Sequence, residues 1–210
     1  MFWVQLQAKY HQSIVACYDP ACPEHRGKEG ENWGTFTPEE CDRIIHLSTK
    51  VPQGHVTVTG KVQPDYRQVT MWRVPYNEET HWIWDKLTKN VILANNQWWN
   101  FDISGIIEPL QLLCYDAGNG DGSYQDHYSK HIDVGSIAPN RKITFSVQLS
   151  DPKDYDGAEL HIYRYRDPEA LPTGKGTMIL FPSYMLHEVT PITRGKRWAL
   201  VCWMSGPQFR

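Results

Sequence analysis

The sequence predicts an α+β chain in which helices near the N-terminus support a C-terminal sandwich or barrel of strands. Two observations carry this. Two segments within residues 36–98 place apolar residues at helical spacing, and from about residue 101 the texture changes to short β-branched and aromatic segments separated by Gly, Pro, Asn and Asp. Helices followed by a run of strands segregate into layers around one core. At 210 residues the chain is long enough to bury such a core, and one domain is expected. Residues 1–100 would supply an N-terminal strand and supporting helices, and residues 101–206 the strand-rich core.

The elements follow in order. FWVQLQAKY, residues 2–10, alternates as an edge strand does, and the Gly-, Pro- and charge-rich stretch to residue 34 reads as loop. In FTPEECDRIIHLSTKV, Thr37 can cap, Pro38 suits the first helical position, and Ile44, Ile45 and Leu47 supply an apolar face. A second helix is expected through NEETHWIWDKLTKNVILANNQW, with acidic residues in its first turn and Trp82, Leu87, Val91 and Ile92 near helical spacing. Strands are then expected in IIEPLQLLCY, around HIDVGS, and in KITFSVQLS, ELHIYRY, TMILFP, HEVTPI and RWALVCWM.

Composition narrows the function. Acidic and basic residues nearly balance, 24 against 21, so no excess positive charge is available for a polyphosphate, and nucleic acid is not expected as a partner. Nine Trp and eleven Tyr suit a large core, a pocket or an interface. The five cysteines are odd in number and mostly scattered, and no secretory layout precedes them, so a reducing, cytoplasmic setting is expected. No apolar run approaches the roughly 20 residues a bilayer demands, so no membrane is expected.

His131 and Asp133 form H-x-D in HYSKHIDVGS. Roughly one such pair arises by chance in a chain of this composition, so the motif alone says little. On an extended segment, however, residues two apart share a face, and an imidazole and a carboxylate there can converge on one cation. His187, after the turn FPSYML, is the candidate third ligand; the alternative is a partly buried histidine capping a loop. Arg197 lies ten positions later on what should be an adjacent antiparallel strand. A guanidinium inside a barrel needs an anionic partner. Two histidines and one carboxylate on one face of an octahedron leave three positions open, as in non-haem Fe(II) oxygenases. A dicarboxylate could fill two while its far end takes a bidentate contact from Arg197, and dioxygen the third.

Over residues 36–205 the blocks FTPEECDRII, LQLLCYDAGNGDGSYQDHYSKHID, RKITFSVQLSDPKDYDGAELHIY and GTMILFPSYMLHEVTPITRGKRWALVCW resemble the Fe(II)/2-oxoglutarate-dependent dioxygenases of the prolyl 4-hydroxylase type. The resemblance implies a double-stranded β-helix, a jelly-roll or cupin-like core with supporting N-terminal helices. It implies that His131, Asp133 and His187 ligate Fe(II), that Arg197 binds the distal carboxylate of 2-oxoglutarate, and that Tyr115 lies beside that cosubstrate, with Tyr128 a further pocket-lining tyrosine. O2 is the other cosubstrate, and ascorbate joins the expected requirements. The implied reaction hydroxylates a C–H bond of a peptidyl proline or other amino-acid residue, releasing succinate and CO2. Retention of Asp133 favours hydroxylation over halogenation. Arginine rather than lysine at position 197 points away from the collagen-modifying branch, and the spacer QDHYSK before His131 departs from the family pattern.

Other candidates were weighed beside these. Cys17, Cys22 and His25, with Cys41 or His11, could hold zinc, although Pro20 and Pro23 suit an ordinary loop. His127 mimics a helical zinc pair with His131 but lacks the glutamate of H-E-x-x-H, and His161 suits strand packing. Arg67, Trp72, Arg73, Trp98 and Trp99 could form a substrate groove, with core packing favoured. Two rival functions stay open: the same chemistry on a small molecule or free amino acid, and a jelly-roll module that binds ligand or metal without turnover.

Overall fold

A capping box opens the first helix of the computed structural model, which describes residues 15–18, 36–54, 63–118 and 125–209. Thr37 Oγ1 accepts from the Glu40 amide at 3.2 Å, and Glu40 Oε2 accepts from the Thr37 amide at 2.8 Å. These two bonds satisfy donors that a bare helix end leaves orphaned, and they start α1 (Pro38–His46) where expected. The second helix, α2 (His81–Ala94), starts later than its acidic residues suggest. Glu78 and Glu79 sit in a turn held by Asn77, whose Oδ1 accepts from the Glu79 and Thr80 amides. The buried face of α2 is Ile83, Leu87, Asn90, Val91 and Ala94; Trp82 is half-buried under the Arg43 guanidinium, and Ile92 is exposed. The helix continues into a π turn, Asn95–Trp99.

The strands are β1 (Ala16–Tyr18), β2 (Gln53–Gly54), β3 (Arg67–Gln68), β4 (Thr70–Val74), β5 (Leu110–Asp116), β6 (His127–His131), β7 (Arg141–Gln148), β8 (Tyr155–Gly157), β9 (Leu160–Ile162), β10 (Glu169–Ala170), β11 (Met178–Pro182), β12 (His187–Val189) and β13 (Ile192–Ser205). The alternating stretch at residues 2–10 lies outside the described residues, as do Cys22 and His25 of the suggested zinc set. β1 occupies a segment expected to be loop, and β2, β3 and β4 fall between the helices, where no strand was expected. The stretch expected around HIDVGS is a strand only as far as His131.

Antiparallel pairing sorts these strands into two sheets. The larger runs β1-β11-β7-β13-β5-β4-β2, with β8 paired to β13; the smaller runs β10-β9-β12-β6-β3. Consequently β12 and β13, expected to be neighbours, belong to different sheets. His187 and Arg197 approach from opposite walls instead of side by side.

The larger sheet is buried on both faces, and its side chains are sorted by period two. On β7, Ile143, Phe145 and Val147 join Ile44, Ile83, Leu87 and Val91 of the helices in one apolar cluster. The alternate row, Thr144, Ser146 and Gln148, is polar, and Thr144 and Ser146 line a cavity between the sheets. β5 behaves likewise: Leu110 and Leu112 belong to the helix-side cluster, whereas Leu113 and Tyr115 belong to a second cluster with Leu160, Ile162, Phe181 and Val189. The helices thus cover the outer face and leave the inner one for chemistry. Trp72, Trp98 and Trp99 pack against the helix-side cluster, Arg73 is exposed, and Arg67 alone of the suggested groove lines the cavity. Among the described residues no helix is long and apolar enough to cross a membrane.

Candidate metal centre

β6 ends at His131, and the chain then turns because the amides of Asp133 and Val134 both donate to the Ser183 carbonyl, at 2.9 and 3.2 Å. This turn, rather than strand alternation, brings the Asp133 carboxylate back beside His131. Across the small sheet His187 is the register partner of His131. Asp133 Oδ1 lies 3.6 Å from His131 Nε2, and its Oδ2 lies 3.4 Å from His187 Nε2. One ligand atom from each residue falls within 4.8 Å of the others, and all three residues are buried.

The orientation of each ring is fixed from behind. His131 Nδ1 lies 2.7 Å from the Ser129 carbonyl and His187 Nδ1 lies 2.9 Å from the Met185 carbonyl, so each Nδ1 carries the proton and each Nε2 turns a lone pair inward. The Thr144 hydroxyl donates to Asp133 Oδ2 at 2.6 Å. Burial would raise the Asp133 carboxyl, but the His187 and His131 imidazoles and the Thr144 hydroxyl outweigh it and hold the group well below the usual carboxylate range. Burial pushes His187 down to about 4 against the pull of Asp133. The centre is therefore a carboxylate with a neutral His187 at physiological pH, the protonation state that a divalent cation needs.

These ligands face a cavity between the two sheets. Arg197 lines it at 2 % exposure. β13 reaches this point through Gly195, whose φ of +72° brings it so close to Asp154 that a Cβ would lie 2.0 Å from the Asp154 carbonyl oxygen. There the strand leaves β8 and joins β5 and β7. Gln148 Oε1 accepts from Arg197 Nε at 3.1 Å and from Nη2 at 2.7 Å. The Gln148 amide nitrogen donates to the Pro172 carbonyl at 3.2 Å, which sets the direction of the amide. No described carboxylate pairs with Arg197, so a buried guanidinium lines the cavity without a charged partner among the described residues. Tyr115 lies under it, with Arg197 Cζ 5.4 Å from the ring centroid, and Tyr128 stacks on His131 at 3.5 Å. Burial raises both phenols, Tyr128 to about 12, so both remain protonated donors.

All six residues singled out from the sequence, His131, Asp133, His187, Arg197, Tyr115 and Tyr128, line this one cavity. His127 does not: its Nδ1 and Nε2 lie 3.0 and 3.2 Å from the Gln125 and Asp65 carbonyl oxygens. His161 pairs with Glu159 instead. Thr144, Gln148 and Ser183 were not foreseen. For Thr144 and Gln148 the signal was the alternation I-T-F-S-V-Q, a polar row where a core-facing row would be apolar; Ser183 carries no such signal. Burial pushes the Cys41, Cys114 and Cys202 thiols up to about 12, which makes them unreactive.

The chain is similar to known proteins in sequence and in fold. The model of the 2OG-Fe(II) oxygenase superfamily matches residues 110–205. A PKHD-type hydroxylase of Sphingopyxis alaskensis is 31% identical over 169 residues, covering 78% of this chain and 74% of that protein. One from Synechococcus sp. (strain JA-2-3B'a(2-13)) is 36% identical over 100 residues, covering 48% of this chain and 44% of its own length. The chain thus spans about half the length of several curated relatives it matches. In structure it is similar to a Pseudomonas putida prolyl-4-hydroxylase (TM-score 0.68, 14% identity, 98% and 100% of the two chains). It is also similar to a Trichoplax adhaerens prolyl hydroxylase in complex with a hypoxia inducible factor peptide fragment (TM-score 0.70, 16% identity, 98% and 94%). The two-sheet core is the double-stranded β-helix of those enzymes.

Proposed function

This chain belongs to the 2OG-Fe(II) oxygenase superfamily, and on that premise we propose that it is a 2-oxoglutarate-dependent hydroxylase acting on an amino-acid residue. The observation that carries the proposal is the buried, carboxylate-free Arg197 in the same cavity as a two-histidine, one-carboxylate cluster. The donor set fits Fe(II): two imidazole lone pairs and one carboxylate, each fixed from behind, leave room for exogenous ligands. His131, Asp133 and His187 would hold the metal. When bound, Fe(II) with 2-oxoglutarate supplies the activation of O2 that inserts one oxygen into a C–H bond, yielding succinate and CO2.

The chain's own residues contribute position and exclusion. Arg197 binds the distal carboxylate through the guanidinium edge that Gln148 leaves open, which sets the depth and orientation of the cosubstrate. Tyr115, beside that guanidinium, walls the cosubstrate space and offers a hydroxyl donor. Leu113, Leu160, Phe181 and Val189 line the rest with apolar surface that keeps bulk water out. Thr144 holds the Asp133 carboxylate in one orientation throughout.

A peptide substrate is supported by the peptide complex of the Trichoplax adhaerens neighbour, and peptidyl proline is the first candidate. The test is mass spectrometry of a cell extract and of proline-containing peptides incubated with enzyme, Fe(II), ascorbate and 2-oxoglutarate. A gain of one oxygen matched by succinate is expected. Binding of metal and 2-oxoglutarate with no succinate and no oxygenated product from any partner would instead support a module that binds without turnover.

A further inference from the structure

A second arginine lines the same cavity and has no role in holding metal or cosubstrate as assigned above. Arg67 lies on β3, at the edge of the smaller sheet, and reaches across to β5 of the larger one. Its Nη2 donates to Gln111 Oε1 at 3.2 Å, and its guanidinium carbon sits 4.4 Å from the Tyr128 ring centroid. The same ring stacks on His131 at 3.5 Å. Arg67, Tyr128 and His131 therefore form a continuous stack ending at the candidate metal.

Both cavity arginines are held by glutamine amides, Arg197 by Gln148 and Arg67 by Gln111. Neither partner is charged, so among the described residues neither guanidinium has a carboxylate partner. Among the described residues the buried Arg67 Nε has no hydrogen-bond partner, nor does the indole nitrogen of Trp203, another lining residue. Both atoms are donors without acceptors, so the wall asks for a ligand rich in oxygen.

Charge accounting sharpens this. The described lining carries two guanidinium charges and one carboxylate, and histidines that ligate a metal do so as neutral imidazoles. Fe(II) adds two positive charges and 2-oxoglutarate two negative ones. One positive charge remains, and it equals the contribution of Arg67. A site for an internal, uncharged peptide residue would balance without that side chain.

We propose that Arg67 anchors a carboxylate of the substrate, so that the residue hydroxylated is a chain-terminal or acylated amino acid whose own carboxylate is free. This rests on the hydroxylase reading above and narrows its substrate class. Tyr128 sets the distance between that carboxylate and the metal, and Gln111 fixes the guanidinium without competing for its charge. Part of Arg67 reaches solvent, which gives a charged substrate a path inward.

The test uses the full chain loaded with Mn(II) and saturated with 2-oxoglutarate, so that no turnover occurs. The N-acetyl derivatives of proline, leucine and lysine are titrated calorimetrically, each as free acid and as primary amide. At least one acid is expected to bind about tenfold or more tighter than its amide, and Arg67→Gln is expected to abolish that preference. Arg67→Gln should leave the 2-oxoglutarate affinity within about threefold of wild type. Equal binding of every acid and its amide, including no binding of either, overturns the proposal. So does a loss of 2-oxoglutarate affinity in Arg67→Gln comparable to that in Arg197→Gln, because Arg67 would then serve the cosubstrate. A wild-type protein that binds Mn(II) but no 2-oxoglutarate removes the hydroxylase reading itself, and this proposal with it.

Discussion

Gln148→Glu exchanges an amide for an isosteric carboxylate next to Arg197, at the cost of the donor to the Pro172 carbonyl. In the native protein a neutral oxygen takes two N–H groups of the guanidinium, at 3.1 and 2.7 Å, with both residues nearly fully buried. In the proposed site the arginine charge is thereby left for the distal carboxylate of 2-oxoglutarate. An introduced carboxylate at that distance neutralises it and sets a like charge beside the incoming ligand. Hydrogen bonds to charged groups contribute about 1.5–3 kcal/mol each, and the end-on guanidinium edge makes two. A loss of about 3 kcal/mol is therefore expected, roughly a hundredfold in affinity. Calorimetric titration of 2-oxoglutarate into the Mn(II)-loaded protein reads this directly. Steady-state assays should show the same rise in KM with kcat at saturation largely retained. An affinity within about threefold of wild type, in a variant whose melting temperature is unchanged, would refute the role given to Gln148.

Thr144→Val removes the hydroxyl that orients Asp133 while keeping its shape, and metal affinity is expected to fall about 10–100-fold by competition with a chelator. His187 is held down to about 4 in the folded, metal-free protein against an ordinary 6.5. The unfolded chain thus takes up a proton first as pH falls, so the stability tied to neutral His187 is complete above about pH 6.5 and is lost towards pH 4, by about 3 kcal/mol. Asp133, also depressed, acts in the same direction at lower pH. Urea unfolding of the metal-free protein across that window should show the decline, with a shallower slope in His187→Gln; equal slopes would contradict it. Leu87→Ala opens a cavity under the helix-side cluster and is expected to lower stability by about 2–5 kcal/mol while leaving 2-oxoglutarate affinity unchanged, because the cavity proposed for the cosubstrate lies on the opposite face of the sheet.

The parts of this molecule legible in its sequence are those with a local physical cause. Thr37, Pro38 and Glu40 form a capping box within four consecutive residues, and the first helix begins where they place it. The alternation in β7 is equally local, and its polar row marks the cavity side. Strands of two residues, β2, β3 and β10, are too short to show any period. Sheet membership was hidden for another reason: His187 and Arg197 are ten residues apart, but the chain crosses between sheets at Thr190 and Pro191, and no spacing rule distinguishes that crossing from a hairpin. The onset of α2 was misplaced because Glu78 and Glu79 resemble a first helical turn, whereas the Asn77 side chain holds those residues in a turn of their own. At the site, the grouping of His131, Asp133 and His187 was expected from the resemblance of whole blocks, and the fold brings the three together. Arg67 and Gln148 act through cross-sheet and cross-strand partners that only the fold brings near.

The central claim is that three side chains gather one ferrous ion while a fourth holds a keto diacid in the same cavity. Anomalous diffraction at the iron edge, from crystals grown with Fe(II) and 2-oxoglutarate without oxygen, tests it in a single measurement. One iron peak is expected within bonding distance of His131, Asp133 and His187, with the distal carboxylate of 2-oxoglutarate on Arg197. Iron bound elsewhere, or a cosubstrate whose distal carboxylate leaves Arg197 empty, would contradict the account.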